Sequence, residues 1–64
     1  MEEGTLRWID EREVSRITGF ALPTLRNHRS QHKGIPFTRA GGRTIRYELS
    51  GVIAYMRRGE VIPQ

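Results

Sequence analysis

The chain has 64 residues, no cysteine and a formal charge of +4, with 11 basic residues against 7 acidic ones. A chain of this size makes one small domain with a barely sufficient core and no room for a substrate cleft. It has no disulfide, no thiolate nucleophile and no ordinary structural zinc site. No apolar run approaches the roughly 20 residues that span a bilayer, and the acidic start Met1-Glu2-Glu3-Gly4-Thr5 is unlike a signal peptide. A soluble, cytoplasmic protein is expected.

The charges are unevenly placed. Between Glu13 and Glu48 there is no acidic residue, while Arg16, Arg26, Arg29, Lys33, Arg39, Arg43 and Arg46 all fall in that window. Such a segment predicts a one-signed electropositive surface, which concentrates and steers a polyanion. Ten of the 11 basic residues are arginine. A planar guanidinium fork fits phosphate oxygens and the O6/N7 edge of guanine better than a lysine point charge does.

In chain order, Asp10 is a helix cap, with Glu13 three residues on in position to reach back as in a capping box. Val14 and Ile17 supply the buried stripe and Gly19 a left-handed stop, predicting a helix over 11–18. Gly19-Phe20-Ala21 is a three-residue turn before Leu22-Pro23-Thr24-Leu25 resumes helical spacing, with Pro23 tolerated in a first turn. The second helix is expected over 22–31, with Leu22 and Leu25 inward. Thr24, Arg26, Asn27, His28, Arg29 and Ser30 occupy its other positions. Two short helices on a glycine-containing turn form a helix-turn-helix pattern, and the second helix carries the polar and basic side chains a major groove accepts.

Lys33-Gly34-Ile35-Pro36 breaks that helix. Gly41-Gly42 between Phe37-Thr38-Arg39-Ala40 and Arg43-Thr44-Ile45-Arg46-Tyr47 predicts a β-hairpin, the wing. A strict two-residue turn pairs Thr38 with Ile45 and Phe37 with Arg46, which sets Phe37 on the less apolar face. Either the register differs or both faces are wetted. Leu49, Val52, Ile53 and Met56 recur at helical spacing, predicting a third helix over 50–57 that Gly59 ends. The expected core is Trp8, Ile9, Val14, Ile17, Leu25, Ile45, Tyr47, Leu49, Val52, Ile53 and Met56, with Trp8 as a lid.

No constellation supports catalysis: Ser15, Ser30 and Ser50 lack a base and an oxyanion partner, and no carboxylates are poised as acid and base. The protein reads as a non-enzyme without cofactor. His28 and His32 are four apart, but two histidines without a neighbouring Cys, Asp or Glu do not make a metal site. Arg39, Arg43 and Arg46 flank the Gly-Gly tip, where they can follow phosphates or enter a minor groove.

The order Trp8-Ile9-Asp10-Glu11-Arg12-Glu13-Val14, Ile17-Thr18-Gly19-Phe20, Thr24-Leu25-Arg26, Gly34-Ile35-Pro36-Phe37, Gly41-Gly42-Arg43-Thr44-Ile45-Arg46-Tyr47 and Val52-Ile53-Ala54-Tyr55-Met56 resembles the small winged helix-turn-helix proteins related to the MerR DNA-binding domain. That group includes the AlpA-like regulators and the excisionases of phages and integrative elements. The resemblance covers 8–56 and implies an α+β fold of three short helices and a two-stranded hairpin wing, its core within 8–58 of a single 1–64 domain. It implies double-stranded DNA as partner, with Thr24, Arg26, Asn27, His28 and Arg29 as groove or phosphate contacts and Arg43 and Arg46 as wing contacts.

Three positions depart from the family pattern: Ala21 replaces a Ser or Thr cap, His28 a large aromatic, and Gly51 an acidic residue. Marginal stability without DNA is therefore expected. An excisionase-like directionality factor that bends DNA is the leading functional reading, with several copies on neighbouring repeats and an integrase as further partners. An AlpA-like transcriptional regulator needs the same surface. A protein-interaction module, docked on an acidic protein, is the reading from another class.

Overall fold

The computed structural model describes residues 7–62, so the acidic start and the final Pro63-Gln64 lie outside the described residues. The elements are β1 (Trp8–Ile9), α1 (Glu11–Thr18), α2 (Leu22–Ser30), β2 (Thr38–Ala40), β3 (Thr44–Glu48) and α3 (Leu49–Arg58). They form a small α+β domain in which an antiparallel sheet of order β1-β3-β2 packs with the helices. The expected two-stranded hairpin is thus part of a three-stranded sheet. Its extra strand is Trp8–Ile9, too short to carry a periodic signal in the sequence.

α1 begins where the Asp10 side chain accepts from the Glu13 backbone N–H at 3.0 Å. The reciprocal half of the capping box is not formed; Glu13 Oε1 instead accepts from Arg16 one turn on. Gly19 stops the helix at φ 84°, and its N–H reaches the Ser15 carbonyl at 2.8 Å. The following turn is tied by hydroxyls: Ser15 Oγ donates to the Phe20 carbonyl at 2.6 Å, and the Phe20 N–H donates to Thr18 Oγ1 at 3.1 Å. α2 then starts from Ala21 with no side-chain cap, as the sequence implied, and ends one residue before the expected limit.

The hairpin register is Thr38↔Arg46, Arg39↔Ile45 and Ala40↔Thr44, so the loop is three residues, Gly41-Gly42-Arg43, rather than two. Continuing this register sets Phe37 opposite Tyr47, on the apolar face, where the two rings lie 6.3 Å apart. The register resolves the Phe37 conflict, while Thr38, Arg39 and Ala40 are all exposed, so β2 itself is wetted on both faces. On the other side of β3, Trp8 pairs with Glu48 and Ile9 with Tyr47. Strand alternation sends Ile9 inward and Trp8 outward. Trp8 is 52% exposed and is not a lid on the core.

Six side chains are buried: Ile9, Val14, Leu25, Ile35, Tyr47 and Val52, with Phe20, Leu22, Phe37, Ile45, Leu49 and Tyr55 packed against them. Each fully buried one contributes about 1.5–3 kcal/mol of gross transfer energy, most of it offset by chain entropy. Ile35 was not in the expected core; it lies in the break after α2, without periodic neighbours. Ile17, Ile53 and Met56 were expected inside but are 43%, 38% and 40% exposed. With Arg57 and Glu60 they line an open groove along α1 and α3.

The chain leaves α2 through two left-handed residues, His32 at φ 55° and Gly34 at φ 85°. A Cβ on Gly34 would lie 2.9 Å from His28 Cβ and Nδ1, whereas one on Gly42, at φ 88°, would meet nothing within 4 Å. Gly42→Ala therefore costs only the left-handed strain, about 1–2 kcal/mol, while Gly34→Ala adds overpacking of about 1–3 kcal/mol. In thermal denaturation the Gly34 variant should melt several degrees below the Gly42 variant. Equal melting temperatures would mean that His28 moves aside freely.

Candidate nucleic-acid interface

The helical period decides which side chains of α2 face out. Pro23, Arg26, Asn27 and Ser30, at i, i+3, i+4 and i+7, are all exposed, while Leu25 is buried and Leu22, Thr24, His28 and Arg29 are partly covered. The outward face thus carries two of the five expected recognition residues, Arg26 and Asn27, together with Ser30, which had not been singled out as a contact. Thr24 sits at its margin. His28 turns toward the core: its ring meets Phe20 edge-on at 5.8 Å, and its Nδ1 is buried without a hydrogen-bond partner. The ring thus packs where a large aromatic was expected, and the residue as a whole is partly covered, not fully exposed like Arg26 and Asn27.

Arg29 is also turned inward, with only 15% of its side chain exposed. Its Nη1 donates to the Tyr47 hydroxyl at 2.8 Å and its Nη2 to Glu11 Oε1 at 3.2 Å. The same carboxylate receives Arg26, whose Nε lies 3.3 Å from Oε1 and Nη2 2.7 Å from Oε2. One carboxylate on α1 therefore gathers two arginines of α2, and through Arg29 reaches β3. Sequence reasoning missed Glu11, and the separation of 15 positions between Glu11 and Arg26 makes this a tertiary pairing with no local signal. The acid-free window in the sequence does not become a one-signed surface, because Glu11 sits among its arginines.

The Arg26 hydrogen bond is the main cause that holds the Glu11 carboxyl below its ordinary value of 4.5; partial burial opposes it, and the Arg29 hydrogen bond and both positive charges add to it. The Arg26 guanidinium is correspondingly raised by the Glu11 bond.

The hairpin supplies the second group. Arg39, Arg43 and Arg46 are all exposed, Arg43 in the loop and the other two on β2 and β3. Arg39 and Arg29 each bring a guanidinium within 6 Å of the Phe37 ring centre, at 5.8 and 5.9 Å, which orients them by cation–π attraction. Arg46 folds back to donate to the Ile45 carbonyl at 2.8 Å. Between the start of α1 and the hairpin lies a polar cleft lined by Asp10, Glu11, Arg12, Arg29, Arg43, Thr44, Ile45 and Arg46. Arg12, exposed on α1, joins the basic rim of this cleft. Its position in the acidic stretch Asp10–Glu13 had masked it.

Among the described residues no cluster of three or more metal-ligating side chains occurs, and no helix is long and apolar enough to cross a membrane. In comparison with known proteins, the chain matches no family model, no curated protein and no solved structure.

Two predictions follow from the Glu11 network. Tyr47 is 1% exposed, so Tyr47→Phe leaves an Arg29 N–H without its acceptor and should lower unfolding free energy by about 1.5–3 kcal/mol in urea titration. The second concerns pH. A carboxyl with a depressed folded-state pKa stabilises fully above its unfolded value near 4.5 and loses that contribution as pH falls through the folded value. Glu11→Gln should therefore be less stable than the parent at neutral pH, with the gap closing as urea titrations are repeated at successively lower pH below 4.5. A gap that stays constant across that range would show that the ionised carboxylate contributes nothing.

Proposed function

We propose that the protein is a sequence-preferring double-stranded DNA-binding module of the winged helix-turn-helix kind. In this reading α2 lies in the major groove and the β2–β3 hairpin holds an adjoining groove or backbone. The observation that carries it is the joint presentation of an outward Arg26-Asn27-Ser30 face on a helix and three exposed arginines on a glycine-tipped hairpin. A polar side chain at the outer face of a short helix reads base edges, while flanking guanidiniums neutralise phosphates and fix register. The cleft between α1 and the hairpin gathers Arg12, Arg43 and Arg46 at its rim, with Asp10 and Glu11 also in its lining, so the guanidiniums at the rim and not the cleft floor are the phosphate contacts.

Within this reading the protein acts as an excisionase-like directionality factor that occupies and bends its site, an assignment resting on the resemblance in motif order. Bending a site of 20–30 base pairs costs of order 1–6 kcal/mol, offset by added protein contacts.

If about six basic residues neutralise phosphates, log K against log salt has a slope near −5. Arg43→Ala and Arg46→Ala should each flatten that slope by about 0.9 while weakening all sequences alike. Arg57→Ala, in the α1–α3 groove, should leave it unchanged. Fluorescence anisotropy with a labelled duplex over a salt series reads all three. A slope near zero for the parent protein, or hairpin variants that bind like it, would favour the protein-interaction module instead.

A further inference from the structure

The Arg26–Glu11 pair is made side-on. Nε and Nη2 face the carboxylate, at 3.3 and 2.7 Å, which leaves the end-on edge formed by Nη1 and the second N–H of Nη2. Among the described residues nothing else hydrogen-bonds to this guanidinium. Its five donors lie in one plane, so holding one edge fixes the direction of the other. The side chain is 57% exposed and projects from the second turn of α2, on the outward face. The holding carboxylate is itself anchored: Oε1 also receives Arg29, whose other nitrogen is bound to the buried Tyr47.

We propose that Glu11 is a specificity-determining residue that buttresses Arg26 so that its end-on edge reads the O6 and N7 acceptors of a guanine in the major groove. This rests on the DNA-binding reading above. The arrangement favours a base edge over a phosphate for physical reasons. The Arg26–Glu11–Arg29 cluster carries one net positive charge where two free arginines would carry two, so its long-range pull on phosphate is reduced, and the carboxylate beside Arg26 itself repels a phosphate brought alongside. Guanine O6 and N7 are neutral acceptors spaced for a two-donor fork, and they require donors in the right place rather than net charge. A side chain already held in one rotamer also loses less freedom on binding than a free surface arginine.

The test begins with the unmodified protein. Preferred sites are selected from random-sequence duplexes, and each guanine of the best site is replaced in turn by 7-deazaguanine, which lacks the N7 acceptor. One position should lose affinity on the order of 10- to 100-fold. Glu11→Ala should then bind unrelated duplexes more tightly than the parent, since a repelling charge is gone, yet discriminate at that position by only a few fold. Arg26→Ala should abolish the discrimination, and adding Glu11→Ala to it should change discrimination no further. A parent protein indifferent to every 7-deazaguanine while binding duplex with a steep salt slope overturns the guanine assignment and leaves the DNA-binding reading standing. A Glu11→Ala protein that binds duplex and keeps its full guanine preference overturns the buttress. Absence of salt-dependent binding to any duplex overturns the DNA-binding reading and, with it, this one.

Discussion

The Arg29 guanidinium, held between the Tyr47 hydroxyl and the Glu11 carboxylate, is the interaction on which the rest of the surface depends. Tyr47 brings a polar atom to the edge of an otherwise apolar core, and a buried hydroxyl needs a partner. Arg29 meets that need and, being charged and largely covered, itself needs a counter-ion, which α1 supplies. The result fixes the rotation of α2 against α1 and the central strand together. Leu22, Leu25 and His28 pack the helix by non-directional contact, and the guanidinium adds directional hydrogen bonds to it. Which side chains of α2 face outward is set by this bracket as much as by the helical period.

Local chemistry in the sequence was sufficient for the helices and the turn between α1 and α2, and for the place of the hairpin though not its loop length. The Asp10 cap, the Gly19 stop, Pro23 in a first turn and the apolar spacing of the last helix each act within a few residues, so their outcome is readable from neighbours. What was not readable depends on distance in the chain. Trp8–Ile9 becomes a strand only because β3 offers it a partner edge, and Ile35 is buried only because the segment after α2 folds back over the core. Ile17, Ile53 and Met56 obey a helical period yet sit at the margin of the buried stripe, since a domain this small cannot enclose every apolar residue its helices carry.

For the candidate site the same division holds. Arg26, Asn27 and the three hairpin arginines were identifiable from residue type and spacing. His28 and Arg29 turn further inward than their positions suggested, because neither a partly covered imidazole against Phe20 nor a guanidinium bound to Tyr47 leaves a trace in local sequence. The acid-free window was the more instructive error. Linear charge segregation says nothing about which acid a fold returns to the cluster, and one carboxylate placed between two arginines changes what those arginines can recognise.

The pairing of β1 with β3 has a consequence for how the molecule assembles. Ile9 meets Tyr47 from the far side of the sequence, whereas the hairpin and the helix pair are built from near neighbours. Contacts within the hairpin and within each helix form on the microsecond scale, but the edge strand can dock only after the chain between has been brought round on itself. Both residues belong to the buried set, so the core is not sealed until that late step. A partly unfolded chain in which β1 has not docked therefore exposes one free edge of β3, the kind of unpaired edge that invites pairing with another chain.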